Sequence, residues 1–293
     1  MGFSFKHRRN VEAQVRRIAG EQIDAALVEA KAENQDIEAT VHGLRRRCKK
    51  LRGLVRLVGP DLEDARRENA AFRDAAASLA AARDAAVMVE TFDGLLEFDR
   101  QRETQIGRID AEEISDFLGE QAKGSGQGSQ EPFSDFVELF TDAGERARKW
   151  DVDGRGFDAL GDGFEITYKL MRRRMSGAEN EKSPEHFHEW RKYVKYHGHH
   201  ISLLKRTAPA LLKARVEALV ELGDVLGDHH NLAVLSETLK DRPTAAAVHD
   251  VVAAQQDQLA DNAFALGRQL AAEKPSAIRR RFQAYWELLE ERG

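Results

Sequence analysis

Residues 41–58, VHGLRRRCKKLRGLVRLV, carry seven arginines and lysines and one histidine with no acidic residue among them. At about 100° per residue on a helix, His42, Arg45, Lys49, Arg52 and Arg56 fall within an arc of roughly 80°, with Arg46 beside it. Val41, Leu44, Leu51, Leu54, Val55 and Val58 take the other side, so an apolar anchor stands behind a cationic stripe. Those residue types suit phosphate. A guanidinium fork binds pairs of oxygens, lysine supplies a point charge, and histidine donates N–H bonds while titrating near neutrality. Solvated helical faces usually mix signs and gain small attractions between residues four apart, whereas a stripe of one sign repels itself unless an anion faces it.

The pattern recurs. Val41 to Lys49 aligns with Phe187 to Lys195 at a shift of 146 positions, and Leu79 to Val87 aligns with Leu226 to Val234 at a shift of 147. The second stripe contains His188, Arg191, Lys192 and Lys195, with His199 near the same face. Gly198 and Tyr196 stand where the first copy has Arg52 and Lys50. Upstream, Lys169, Arg172 and Arg173 form a third basic cluster, with Arg16 and Arg17 as counterparts in the first half. Without a ligand, such runs read as solvated faces and the two motif histidines as hydrogen-bonded interface residues. Their repetition in a duplicated unit favours binding: two facing cationic helices make a groove that fits a linear polyanion. No carboxylate pair, serine nucleophile or glycine-rich phosphate loop accompanies them, so the expectation is a non-catalytic binder that needs no cofactor.

The elements that must hold these residues are helices. Apolar residues recur at three- and four-residue steps, as in Val11, Val15, Ile18, Ile23 and Leu27, and strand-like alternation is nearly absent. Pro60, Pro184, Pro209, Pro243 and Pro275 fall where helices should begin or end. The Gly-, Ser- and Gln-rich stretch 119–132 lies near the middle and reads as a linker. The chain is thus expected to be all-α: a helical repeat over 1–120, a linker over 121–132 and a second repeat over 133–293. Its 293 residues are enough for a substantial core, and a net charge of -5 excludes a protein that coats nucleic acid by overall charge. The single cysteine, Cys48, excludes an internal disulfide and a thiolate zinc site and fits a reducing cytoplasm. No apolar stretch reaches membrane-spanning length, and Lys6 stands where a myristoylation signal wants Ser or Thr.

These segments resemble the CHAD (conserved histidine α-helical domain) family over nearly the whole chain. The resemblance rests on the duplicated His-x-x-Arg-x-x-x-Lys/Arg helix, here VHGLRRRCKKLRGLVRLV and FHEWRKYVKYHGHH, each followed by a second motif, LAAARDAAVMV and LGDHHNLAVL. It implies two pseudo-symmetric four-helix-bundle-like halves around a central basic channel that binds inorganic polyphosphate. His42, Arg45, Arg46, Lys49 and Arg52 would line one wall, and His188, Arg191, Lys192 and Lys195 the other. The family usually keeps basic residues where Gly198 and often where Tyr196 stand, which implies a shorter or weaker hold here. A partner triphosphate tunnel domain carries an E-x-E-x-K motif, and Glu179-Asn180-Glu181-Lys182 lacks that spacing. Three alternatives stand beside this reading: nucleic-acid backbone binding through the same stripes, a scaffold on polyphosphate or polymer granules, and a metal site built from the histidines at 186–200. The last is disfavoured because lysines and arginines surround those rings.

Overall fold

The computed structural model describes residues 2–33, 36–79, 84–102, 105–124 and 133–291. Among them there is no strand, only an isolated antiparallel bridge between Leu62 and Val152, and the α-helices number eleven. They are α1 (Val11–Ala30), α2 (Ile37–Val58), α3 (Ala65–Ala77), α4 (Asp84–Arg100), α5 (Arg108–Gly124), α6 (Ser134–Ala147), α7 (Asp158–Glu181), α8 (Pro184–Leu204), α9 (Pro209–Thr238), α10 (Ala246–Leu270) and α11 (Pro275–Trp286). No helix of the described residues is long and apolar enough to cross a membrane.

Local chemistry sets the limits of the two motif helices. The Asp36 side chain accepts from the backbone N–H groups of Glu38 and Ala39 and so caps α2, which ends at Gly59 before Pro60. Ser183 caps α8, Pro184 takes its first position, and the preceding helix stops at Lys182 in the left-handed region, at φ 47°. Pro209 and Pro275 also open their helices, and Pro243 opens a 3-10 turn. The apolar side expected of α2 is the buried one: Val41, Leu44, Leu51, Leu54, Val55 and Val58 are all nearly inaccessible.

Two cores result. The larger joins α1, α2, α3, α6, α7, α8 and α11 with the first half of α9 and the end of α10. A smaller one joins Met88, Phe92 and Leu95 of α4 and Ile114 and Leu118 of α5 to Leu232 and Leu235 of α9 and Val248 and Val252 of α10. The α4–α5 hairpin therefore packs on helices of the second half, not on its own. Conversely α6, on the C-terminal side of the expected boundary at 133, packs on α1 and α3 of the first half, with Phe136 and Phe140 stacked on each other and Phe140 edge-on to Phe72. The division at 121–133 needs two corrections: the first-half packing continues through α6, and residues 121–124 complete α5. Linker residues 125–132, and residues 80–83 of the matched segment Leu79 to Val87, lie outside the described residues.

The motif helices meet at glycines. A Cβ on Gly53 of α2 would lie 2.7 Å from the Cβ of His199 on α8, and His200 Nε2 bonds the Gly53 carbonyl at 3.0 Å, across 147 positions of sequence. On the other flank, a Cβ on Gly163 of α7 would lie 2.1 Å from the Leu57 carbonyl oxygen and 2.5 Å from that of Arg56. Backbone touches backbone there, so Gly163→Ala must push α7 off α2. Such overpacking costs about 1–3 kcal/mol, against a gain of up to about 1 kcal/mol in helix propensity. Urea denaturation is expected to show a net loss of stability. A variant as stable as the parent would refute the close approach.

Candidate anion-binding groove

On α2, Arg52 and Arg56 project over α8 and rest on its tyrosines. The Arg56 guanidinium carbon lies 4.3 Å from the Tyr196 ring centre and 5.8 Å from that of Tyr193, and that of Arg52 lies 5.6 Å from Tyr196. A third guanidinium arrives from α7: Arg174 sits 5.9 Å from the Tyr193 ring centre. Cations over aromatic faces are attracted by the ring quadrupole and are held in place without being neutralised. No described carboxylate forms an ion pair with Arg52 or Arg56; Arg52 Nε donates instead to the neutral Asn69 Oδ1, at 3.3 Å. Arg56 Nε and Arg174 Nε are buried without a hydrogen-bond partner. Burial and the neighbouring charges of Arg56 and Arg73 press the Arg52 guanidinium below arginine's usual pKa. Three like charges converge here, with Glu189 acting on Arg174 and Asp74 on Arg52 only from beyond ion-pair distance, an electrostatic cost that a bound anion lowers.

The two stripes also face each other through Lys49. Its charge adds to burial and to Lys192 and Arg191 in lowering the pKa of half-buried His188, and it acts on His199 together with Lys50 and Lys195. Arg45 and Arg46 continue the α2 stripe toward its start, Arg45 half-buried and Arg46 exposed, and His42 is exposed one turn earlier.

The second stripe is built differently. Arg191 and Lys195 lie flat along α9, over Gly227 and Gly223: a Cβ on Gly223 would meet Lys195 Cε at 2.7 Å, and one on Gly227 would meet Arg191 Nη2 at 3.0 Å. Lys195 is paired with Asp224 at 2.9 Å and Lys192 with Glu189 at 2.6 Å. Burial and Asp224 push the Asp228 carboxyl above its usual pKa, while Arg191 and Lys195 draw it down. Glu189 of α8 itself thus answers Lys192, and Asp224 of α9 answers Lys195, a pairing that the sequence pattern of α8 alone did not reveal.

Four expected site residues need correction. His199 stands in the helix crossing, with Gly53 against its Cβ and Phe3 edge-on at 6.0 Å. Burial, with the surrounding lysines, holds its pKa at about 3, so it is a neutral packing residue. Arg172 and Arg173 line a depression shared with Arg268 of α10 and Ala271 just after it, and Lys169 is exposed. On α7, Arg174 is about 160° round the helix from Arg172, and it is Arg174 that reaches the groove. The turn of α7 that Gly163 seats against α2 selects Arg174; the signal in sequence was its place eleven residues, or three turns, beyond that glycine.

The His188 ring lies 4.5 Å from that of His230, tilted to it by 46°, in a hollow lined by Ala233 and Val234. The other three histidines of α8 have partners within the fold: His186 Nδ1 lies 2.9 Å from the Ser183 hydroxyl, His197 is enclosed by Phe164 and Tyr168 with Arg215 Nη2 3.4 Å from its Nε2, and His200 bonds Gly53. Among the described residues no three His, Cys, Asp or Glu side chains come together as metal ligands would. Tyr196, where the resemblance leads one to look for a base, is the platform for Arg52 and Arg56. At Gly198 an added Cβ would make only an ordinary 3.7 Å contact with Leu219, so its lack of a side chain is not imposed by packing.

Comparison with known proteins places this geometry. The family model of the CHAD domain matches residues 17–240. Among solved structures, the chain is similar to PptA from Streptomyces chartreusis, with a TM-score of 0.62 and 12% identity over 90% of this chain and 100% of that one. It is also similar to the CHAD domain from the plant Ricinus communis, with a TM-score of 0.50 and 18% identity over 96% of this chain and 94% of that one. No curated protein matches it. At these identities the structural likeness speaks for the fold, and the family model speaks for descent. Matched over well over half its length, this all-helical chain belongs to the CHAD domain family.

Proposed function

We propose that the protein binds inorganic polyphosphate along the groove between α2, α7 and α8, and that it does so without catalysis. The observation that carries this reading is the convergence of Arg52, Arg56 and Arg174 on Tyr193 and Tyr196 with no carboxylate paired to Arg52 or Arg56. Three forks on aromatic supports, continued by Lys49, offer a run of oxygen-pair sites suited to a string of phosphoryl groups. Membership of the CHAD family supports the same ligand. The two tyrosines are already covered by arginines, which leaves them poorly placed to stack bases and ranks nucleic acid second. A cytoplasmic setting, on or off polyphosphate granules, belongs to the same proposal.

Calorimetric titration of the protein with long-chain polyphosphate tests it. Saturable binding is expected to weaken about 100-fold between 50 and 200 mM salt, the slope for about five contacts on a single-stranded polyanion. Single-stranded RNA at equal phosphate concentration is expected to compete poorly. Absence of binding, or displacement by RNA at parity, would overturn the assignment.

A further inference from the structure

The groove does not stop at Arg56. Where α2 ends, a cleft of about 520 Å3 opens between α2, α3 and α7, lined by Arg56 itself and by Arg66, Asn69 and Thr167, with apolar walls from Val55, Ile166 and Leu170. It is continuous with the groove on two sides. Along α7, Thr167, Leu170 and Arg174 follow at steps of three and four residues on one face, so the cleft runs into the turn that carries the third groove arginine. Along α3, Asn69 is the partner of Arg52.

The polar groups of the cleft are placed to donate. No carboxylate lines it. Arg56 and Arg66 form no ion pair with any described residue, although Arg67, the next residue on α3, is paired with Asp64 at 3.8 Å. Arginine only donates, so the bond from Arg52 Nε fixes the Asn69 amide with Oδ1 toward the arginine, and Asn69 Nδ2 has no acceptor among the described residues.

Thr167 supplies an observation independent of the arginines. It is 3% exposed, it lines the cleft, and its hydroxyl forms no hydrogen bond with a described residue. Unlike the orphaned Nε of Arg56, that oxygen is not sealed from solvent. Thr91, Thr141 and Thr238, also within helices, return their hydroxyls to the carbonyl four residues back. The matching carbonyl for Thr167 is that of Gly163, in the turn seated against α2, and Thr167 leaves that bond unmade. Two guanidinium groups, an amide NH2 and a hydroxyl, with no carboxylate among them, match a ligand whose surface is all acceptor oxygens, and a phosphoryl chain is such a ligand. The apolar walls lower the local dielectric and strengthen each of those bonds.

We propose that the polyphosphate site continues out of the groove into this cleft, so that a chain held on Arg174, Arg52 and Arg56 passes its next phosphates to Asn69, Thr167 and Arg66. This rests on the polyphosphate reading and deepens it, because it makes α3, which lies outside both copies of the basic stripe, a further wall of the site.

The test is calorimetric titration of the full chain at 150 mM NaCl with long-chain polyphosphate and, separately, with tripolyphosphate. Arg66→Ala is expected to weaken long-chain binding about tenfold, the effect of one lost charge-assisted bond, and to lower the slope of log affinity against log salt by about 0.7. Thr167→Val keeps the shape and removes the hydroxyl, and is expected to weaken it about threefold with the slope unchanged. Tripolyphosphate is short enough for the three groove arginines to satisfy, and both variants are expected to bind it within about twofold of the wild type. Arg67→Ala removes the neighbouring charge from outside the cleft and is expected to bind both ligands as the wild type does. Arg66 is exposed, so its replacement is expected to leave folding intact, which circular dichroism checks, and it carries the test even if Thr167→Val is destabilised. Long-chain binding by Arg66→Ala equal to that of the wild type, or a loss in Arg67→Ala as large as in Arg66→Ala, would overturn the cleft and leave the groove standing. No binding of either ligand by the wild type would instead overturn the polyphosphate reading, and the cleft with it.

Discussion

Simultaneous replacement of Arg52, Arg56 and Arg174 by alanine is expected to weaken polyphosphate binding at least 100-fold while leaving the helical circular dichroism intact. Each charge-assisted hydrogen bond is worth about 1.5–3 kcal/mol. Effects on neighbouring groups are not additive, and 100-fold, about 2.7 kcal/mol, is a floor for three. The charge-preserving Arg56→Lys/Arg174→Lys variant should fall between, because lysine keeps the charge but loses the fork and the stacking on Tyr196 and Tyr193. Lys169→Ala/Arg172→Ala/Arg173→Ala removes as many charges from the other faces of α7 and is expected to change affinity by less than threefold at 150 mM salt. If that control lost as much as the triple variant, net charge would explain binding and the groove would not.

A second large effect concerns acid. His197 and His200 are inaccessible, and burial, more than any neighbouring charge, holds both pKa values down, that of His200 to about 3. In the unfolded chain the same imidazoles take up protons below about pH 6.5. As pH falls from 6.5 toward the folded pKa, the unfolded state binds more protons and stability is lost. Two pH units cost about 2.7 kcal/mol for His200, and His197 acts in the same direction. Together that is a large part of the 5–15 kcal/mol typical of a folded domain. Urea midpoints measured from pH 7 to pH 4.5 should drop steeply, and His200→Gln, which keeps a donor for the Gly53 carbonyl, should flatten the slope even where it lowers stability at pH 7. An unchanged slope in that variant would show that other groups drive acid unfolding.

Helix positions were legible because their punctuation is local. Asp36, Ser183 and the prolines act within a few residues, and the apolar side of α2 could be read from its spacing. The α2 stripe was legible for the same reason. Arg174 was not, because the face that α7 turns to the groove is set by the contact of Gly163 with the Leu57 carbonyl, two residues 106 apart in the chain. His199 matched the stripe by helical arithmetic, yet the crossing packs it against Gly53. Asp224, which answers Lys195, comes from α9, and the pairing of the α4–α5 hairpin with α9 and α10 depends on long-range packing that periodicity does not encode.

The Lys195–Asp224 pair has a consequence for ligand length. A short oligophosphate seated on Arg52, Arg56 and Arg174 leaves that pair closed. To engage Lys195, a ligand has to displace a carboxylate tethered beside it, whose effective concentration is far above that of any free competitor. A longer chain already anchored on α2 presents its next phosphates at a similarly high effective concentration and can make the exchange. For a polyphosphate ligand, the aspartate on α9 would therefore act as a length filter, so that tight retention begins only where the polymer outreaches the first anchor.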